Sequence, residues 1–115
     1  KRPLRYRAVG LLVVPEALPD AFTANEVDAG KTYKGKTVTV YGQVSAIAVD
    51  LFGDPEVHFN FDEMGLESVV CTFSQKQSDE LAELGVGQEV YMGGKCQGMT
   101  LSTVYLSGCV LLPIK

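Results

Sequence analysis

The sequence has no tryptophan and only one histidine, His58, and these shortages limit the chemistry that it can support. A lone histidine lacks the partners of a serine–histidine triad or of a histidine-based metal site, so we expect it to be a surface or hydrogen-bonded residue. The sequence also lacks an H-E-x-x-H motif, a nucleophile elbow and a glycine-rich phosphate loop. We therefore predict a protein that is not an enzyme, with no metal site and no cofactor.

Cysteine is also scarce, and its spacing argues against a zinc site. The three cysteines are Cys71, Cys96 and Cys109, and no two of them form a C-x-x-C pair. All three lie within apolar, strand-like segments, which predicts that they are small buried hydrophobic residues. One disulfide in an exported protein is the alternative.

Basic residues are scarce outside the N-terminus. All three arginines lie within the first seven residues, and the remaining residues 8–115 contain six lysines against fourteen acidic residues. Such an acidic body repels phosphate backbones, which disfavours nucleic acid as a partner. We interpret the basic N-terminus as a solubilising tail, with contact to nucleic acid or to an anionic membrane as the alternative. The apolar run at residues 8–14 is too short to span a bilayer and predicts a buried strand.

The periodicity of the apolar residues changes along the chain and predicts a mainly β domain. We divide the sequence into an N-terminal segment, 1–14, and one domain, 15–115. A helix is expected over about residues 19–29, with Gly30 as its stop signal, and a second, short helix is expected after a capping box at residues 74–77. Alternating apolar residues predict strands at about 6–14, 37–46, 56–61, 68–73, 88–96 and 103–112.

The order of these elements in the main domain is that of an OB fold. Five short strands with a helix between the third and the fourth, preceded by an N-terminal helix, predict a closed five-stranded barrel. Gly42, in the middle of the first of these five strands, is expected to mark the bend or bulge that closure requires. A different five-stranded α+β sheet is the alternative.

Several segments resemble the tRNA-anti-like family, which consists of bacterial and phage OB-fold proteins, many of them expected to be exported lipoproteins. The resemblance begins with residues 25–44, NEVDAGKTYKGKTVTVYGQV, and covers about residues 18–112. Later stretches that fit are 70–73, 84–87, 94–98 and 106–109. The resemblance implies the OB fold and a location in the cell envelope or outside the cell. Pro15 and Pro19 depart from the family's longer helix, and any lipid anchor would have to attach before Lys1, since no lipobox cysteine is present.

OB domains bind ligands mainly on the outer face of their second and third strands. If the valines of the first strand point inward, Phe59, Phe61 and Phe73 belong to the core. The residues that then face outward and are expected to bind a ligand are Tyr41, His58, Asn60 and Tyr105. We expect the ligand to be an unknown protein or small molecule. Burial of the tyrosines under the N-terminal helix is the alternative role for them.

A weak single-stranded nucleic-acid-binding protein is the alternative function. It would use Lys31, Lys34 and Lys36, which form the basic patch of the domain at the C-terminal end of the predicted helix. The same three lysines are also favoured there by the helix dipole alone. An enzyme that uses an acid pair such as Asp62 and Glu63 is a third alternative, although adjacent residues on a strand face opposite ways.

Overall fold

A seven-stranded mixed β-sheet forms the framework of the protein, as shown by a computed structural model that describes residues 11–60 and 67–112. The strands are β1 Leu11–Val13, β2 Thr37–Gln43, β3 Ala46–Val49, β4 Pro55–Asn60, β5 Ser68–Thr72, β6 Glu89–Thr100 and β7 Thr103–Leu112. The helices are α1 Ala17–Ala24, α2 Glu26–Tyr33 and α3 Ser78–Leu81, with a 3₁₀ turn at Gln75–Gln77. The order in the sheet is β1-β2-β6-β7-β5-β4-β3, in which β1–β2 and β5–β7 are the parallel pairs.

The sheet differs from the closed five-stranded barrel predicted from the sequence. The strand predicted over residues 37–46 is divided into β2 and β3, because the chain leaves the strand conformation at Val44 and Ser45. β1 adds a further strand by pairing in parallel with β2. β1 and β3 lie at the two ends of the strand order, so closure of the sheet is not confirmed. The mainly β class and the helix between β5 and β6 are confirmed.

The helical region also differs from the prediction, because it contains two helices instead of one over residues 19–29. Asn25 separates them in an extended conformation, with φ −161° and ψ 97°. Its side-chain oxygen accepts a hydrogen bond of 3.1 Å from the backbone N–H of Asp28, which caps the first turn of α2. Gly30 lies inside α2 and does not stop it. α2 ends before Lys34, and Gly35, with φ +80°, turns the chain into β2.

The capping box predicted at residues 74–77 does not form. The Ser74 side chain makes no capping hydrogen bond, and the N–H of Gln77 instead donates to the Ser74 carbonyl at 3.0 Å within the 3₁₀ turn. β6 is longer than predicted, and β7 has the predicted bounds. Of the strand predicted over residues 6–14, residues 11–13 form β1 and residues 6–10 lie outside the described residues. Residue 61 of the strand predicted over residues 56–61 also lies outside them.

The core is built from the inward faces of the strands, as the alternation predicted. Val38, Val57 and Val69 are fully buried, and Phe59 and Phe73 are each only 1% exposed. Leu18 and Phe22 of α1 and Ala29 of α2 cover one side of this core. The three cysteines are buried, as predicted, and their thiols are free. The predicted core residue Phe61 lies outside the described residues.

Candidate functional site

A cleft of about 370 Å³ opens where the chain passes from β2 to β3. The connection between β1 and α1 forms one wall, and the ends of β2 and β4 form the other. The hydrogen-bonding side chains that line it are those of Glu16, Tyr41, Gln43, Ser45, Asn60 and Glu89. None of the described residues that line this cleft is a lysine or an arginine. The cleft therefore presents carboxylate, hydroxyl and amide groups, and no lysine or arginine among its described lining residues balances the carboxylates.

Tyr41 is held in position by a neighbouring ring and a neighbouring carboxylate. It pairs with Tyr91 across β2 and β6, and the two rings stack with centroids 4.5 Å apart and planes at 29°. Its hydroxyl hydrogen-bonds to Glu89, and this bond, followed by partial burial and by the negative charge of Glu89, raises the pKa of Tyr41 above its ordinary value. Tyr41 therefore keeps its proton at neutral pH.

Asn60 lines the same cleft from the end of β4. It is the last residue of β4, and its backbone N–H donates to the Ser45 hydroxyl at 2.9 Å. Ser45 in turn donates its own backbone N–H to the His58 carbonyl at 2.8 Å. These two bonds fix the end of β4 against the β2–β3 connection, and the exposed Asn60 side chain faces the cleft.

The two other predicted ligand residues lie on the outer face of the sheet, where Tyr105 is exposed and His58 is half-buried. His58 is in register with Val70 of β5, which is in register with Tyr105 of β7. Val70 is 5% exposed and Tyr105 is 40% exposed. The His58 Nε2 atom lies 2.9 Å from Glu56 Oε1, two residues earlier on β4. The structure thus brings Tyr41 and Asn60 together in one cleft and leaves His58 and Tyr105 outside its lining.

Lys31 and Lys34, of the predicted basic patch, share a second cleft of about 380 Å³ between α2 and the far end of β6. Its other lining residues include Glu26, Val27, Gly98 and Thr100. A Cβ atom at Gly98 would lie 3.5 Å from Lys34 Cδ, so the Lys34 side chain runs close over this glycine. Lys36 is not part of this lining, and its carbonyl accepts the N–H of Cys96 at 2.9 Å.

Residues 12–110 match the model of the tRNA_anti-like family. The chain belongs to the tRNA-anti-like family. The resemblance predicted from the sequence is thereby confirmed. Among solved structures, the chain is similar to a protein from Klebsiella pneumoniae that bears the name "putative nucleic acid-binding lipoprotein", with a TM-score of 0.65 and 20% identity over 85% of this chain and 88% of that chain. At this identity the likeness shows the fold alone. No curated protein matches the sequence significantly.

Sequence reasoning missed the carboxylates of the cleft in this tRNA-anti-like domain. Glu89 lies two residues before Tyr91, so the two share one face of β6, and the register places Glu89 opposite Gln43. The alternation along β6 was therefore a usable signal. The position of Glu16 depends on how the β1–α1 connection folds back on β2, for which the sequence offers no periodic pattern.

Residues 11–60 and 67–112 also bear on two other kinds of site, a membrane span and a metal centre. Neither the two eight-residue helices nor α3 is long and apolar enough to cross a membrane. In the same ranges, histidine, cysteine and acidic side chains do not gather in threes in a way that could hold a metal ion.

Proposed function

We propose that this tRNA-anti-like chain is a non-catalytic OB-type binding module, and that the cleft between β2 and β3 is its ligand site. The ligand is a protein segment or a small molecule that carries neutral or cationic hydrogen-bond donors. The observation that supports this is the lining of the cleft, in which Glu16, Glu89 and Asn60 offer oxygen acceptors without a neighbouring cation. Small sets of polar groups in a concave site are typical of specific ligand sites.

An OB arrangement of the strands is part of this proposed binding module. We infer that β2 and β3 are the two halves of one bent strand, which would make the five OB strands β2–β3, β4, β5, β6 and β7. In support, the Val44 N–H donates to the Gln88 carbonyl at 2.9 Å, and the Gly87 N–H donates to the Val44 carbonyl at 2.7 Å. On the β4 side of the bend, the Ser45 N–H donates to the His58 carbonyl. The bend would then form the floor of the cleft.

A non-catalytic role agrees with the way the titratable groups are engaged. The Tyr41 hydroxyl is hydrogen-bonded to Glu89, and His58 contacts Glu56. A general base must reach a proton that it can abstract from a nucleophile or a substrate. Both contacts instead pair a side chain with a carboxylate on the same sheet face, which orients the groups for binding.

The test is an NMR titration of the isotope-labelled chain with three blocked tripeptides, Gly-Arg-Gly, Gly-Ser-Gly and Gly-Glu-Gly. We expect the arginine peptide to shift the backbone signals of Tyr41, Ser45 and Asn60, and the glutamate peptide to leave them unchanged. Glu89→Gln should weaken the arginine response, and Glu83→Gln, which changes an exposed carboxylate outside the cleft, should not. Shifts by the glutamate peptide, or no shifts at these residues with any peptide, would contradict the proposal.

Weak binding of single-stranded nucleic acid is the second candidate. It is favoured by the placement of Lys31 and Lys34 in one cleft, and by the name of the Klebsiella pneumoniae protein. The acidic balance of residues 8–115 opposes it. The measurement is fluorescence anisotropy of labelled single-stranded DNA and RNA at low and moderate salt.

Micromolar binding that weakens steeply with salt would support this candidate, because counterion release depends on lysine–phosphate contacts. Lys31→Glu combined with Lys34→Glu should then abolish the signal, whereas Lys76→Glu, an exposed lysine on the 3₁₀ turn, should change it little. No binding at low salt, where screening is weakest, would reject the candidate.

We also propose a location in the cell envelope or outside the cell. The family resemblance supports it, and so does the word lipoprotein in the name of the structural neighbour. Fractionation of cells that express the complete gene product would test it. Recovery in the cytoplasmic fraction alone would contradict it.

A further inference from the structure

The turn between β3 and β4, residues 50–54, presents large apolar side chains to solvent, and we refer to it as the β3–β4 tip. Leu51 is 99% exposed and Phe52 is 82% exposed. Val49, at the end of β3, is 67% exposed and adds to the same patch. Single exposed apolar residues are ordinary on protein surfaces, but neighbouring ones at the apex of a turn form an apolar patch, which is a candidate interaction site.

The backbone of the β3–β4 tip is fixed by its own hydrogen bonds. The Asp50 carboxylate accepts the N–H groups of Phe52 at 2.8 Å and of Asp54 at 2.9 Å. The Asp50 N–H donates to the Asp54 carbonyl at 2.9 Å, and the Gly53 N–H donates to the Asp50 carbonyl at 3.1 Å. Four of the five backbone N–H groups of the tip are therefore satisfied within it.

A side chain outside the tip completes this arrangement. Gln75, in the 3₁₀ turn, donates its side-chain N–H to the Phe52 carbonyl at 3.0 Å. Gly53 has φ +86°, and a Cβ atom there would lie 3.1 Å from Gln75 Nε2, so glycine allows both the turn and this contact. Leu51 and Phe52 are thus displayed by a pre-formed backbone, which lowers the entropic cost of burying them in a contact.

We propose that the β3–β4 tip inserts Leu51 and Phe52 into the interfacial region of a zwitterionic lipid bilayer. A segment that enters lipid has no water to satisfy its backbone, and the tip already satisfies all of its backbone N–H groups except that of Leu51. The tip is convex and needs no complementary pocket. A protein contact is less favoured because leucine is under-represented at the energetic centres of protein interfaces. This surface is separate from the proposed ligand cleft and does not depend on it.

The charge of the chain determines which lipid surface is suitable. Asp50 and Asp54 flank the apolar pair, and residues 8–115 carry an excess of acidic groups. An anionic lipid surface would repel this body, whereas a zwitterionic surface imposes no such penalty. Two inserted side chains give weak, reversible attachment, of the order expected for one short acyl chain or less.

The absence of tryptophan from the sequence allows a clean test. Phe52→Trp places a single indole at the apex of the tip in the full chain, and Val86→Trp places one at a 71% exposed position in the turn before β6. With phosphatidylcholine vesicles, the emission of Phe52→Trp should shift to shorter wavelength and be quenched by lipids brominated on their acyl chains. The emission of Val86→Trp should stay unchanged. Leu51→Ser added to Phe52→Trp should lower the partition coefficient about tenfold.

Other outcomes would overturn the proposal. No emission shift at millimolar lipid in a correctly folded Phe52→Trp chain would show that the tip does not insert. A shift that appears without vesicles and grows with protein concentration would assign the patch to a contact between two copies of the chain. Binding that requires phosphatidylglycerol would assign attachment to basic residues and not to Leu51 and Phe52.

Discussion

The ring of Pro15 occupies the space into which a side chain at Gly42 would extend. A Cβ atom at Gly42 would lie 2.9 Å from Pro15 Cγ and 3.2 Å from Pro15 Cδ, and 3.4 Å from Phe59 Cδ1. β2 runs through Gly42 in continuous register with β6. The bulge that the sequence suggested at this glycine therefore does not form. Its role is to let the β1–α1 connection approach the sheet and form a wall of the cleft.

We predict that Gly42→Ala lowers the free energy of unfolding by about 1–3 kcal/mol, because the added methyl group overpacks the contact with Pro15. The measurement is equilibrium unfolding in urea, followed by circular dichroism. Gly85→Ala is the matched control, because a Cβ atom there meets no other atom within 4 Å and its φ is not positive. We expect that control to be neutral or slightly stabilising. Equal losses in the two variants would contradict this account of Gly42.

Much of the strand framework was predictable because the alternation of apolar residues reports directly on burial. The inward positions Val57, Phe59 and Val69 were assigned correctly, and the bounds of β7 were correct. The single predicted helix was wrong because a local signal was overlooked. Asn25 is a favoured N-cap residue, followed three positions later by Asp28, and that pattern predicts a helix start in the middle of the supposed helix.

The candidate site was predictable only in part, since it depends on contacts that are remote in sequence. The alternation of apolar residues along β2 and β4 assigns Tyr41 and Asn60 to the outer face, and this was sufficient to select them as candidate ligand residues. It could not show that they face one cleft, because Pro15, Glu16 and Glu89 reach that cleft from other elements. Lys36 was grouped with Lys31 and Lys34 by proximity in sequence, whereas only Lys31 in the last turn of α2 and Lys34 at its C-cap line the second cleft.

The pKa of Tyr41 provides a pH-dependent prediction. The hydrogen bond to Glu89 raises this pKa in the folded chain, while in the unfolded chain it is near 10. Above that value the unfolded chain loses the proton that the folded chain keeps, so unfolding becomes more favourable. The contribution to stability is therefore complete below about pH 10 and is lost as the pH rises through the raised pKa.

We expect Tyr41 to ionise at higher pH than a free tyrosine when the ring carbons are followed by NMR across an alkaline titration. Glu89→Gln should lower the Tyr41 pKa by removing the carboxylate acceptor and its charge. Glu83→Gln should leave it unchanged. An unaltered Tyr41 pKa in Glu89→Gln would show that the hydroxyl is not held by this carboxylate.

The cysteines should be protected from thiol reagents in the folded chain. A hydrogen bond with Cys109, followed by burial, raises the pKa of Cys71 well above its usual range, and burial raises the pKa of Cys96. Only the thiolate reacts, so Cys71 and Cys96 present few reactive groups at pH 8. Cys109 is shielded by burial, since it is 1% exposed. We expect iodoacetamide to label no cysteine rapidly in buffer and all three in denaturant, as counted by mass spectrometry. Ser74→Cys, at an exposed position, should be labelled at once, and equally fast labelling of Cys71 would contradict this prediction.

Asp50 should contribute more to the β3–β4 tip than its surface position suggests. Its carboxylate accepts two backbone N–H groups, and Asp50→Ala would leave those of Phe52 and Asp54 without their acceptor. We expect this variant to lose about 1–2 kcal/mol of unfolding free energy in urea, and Asp50→Asn to lose less because its amide keeps one acceptor oxygen. The control is Asp79→Ala on α3. Glu56→Ala is not suitable, because Glu56 contacts His58. If Asp50→Ala is no more destabilising than Asp79→Ala, the tip is not stabilised by these bonds. In that case its apolar residues are not pre-organised for contact.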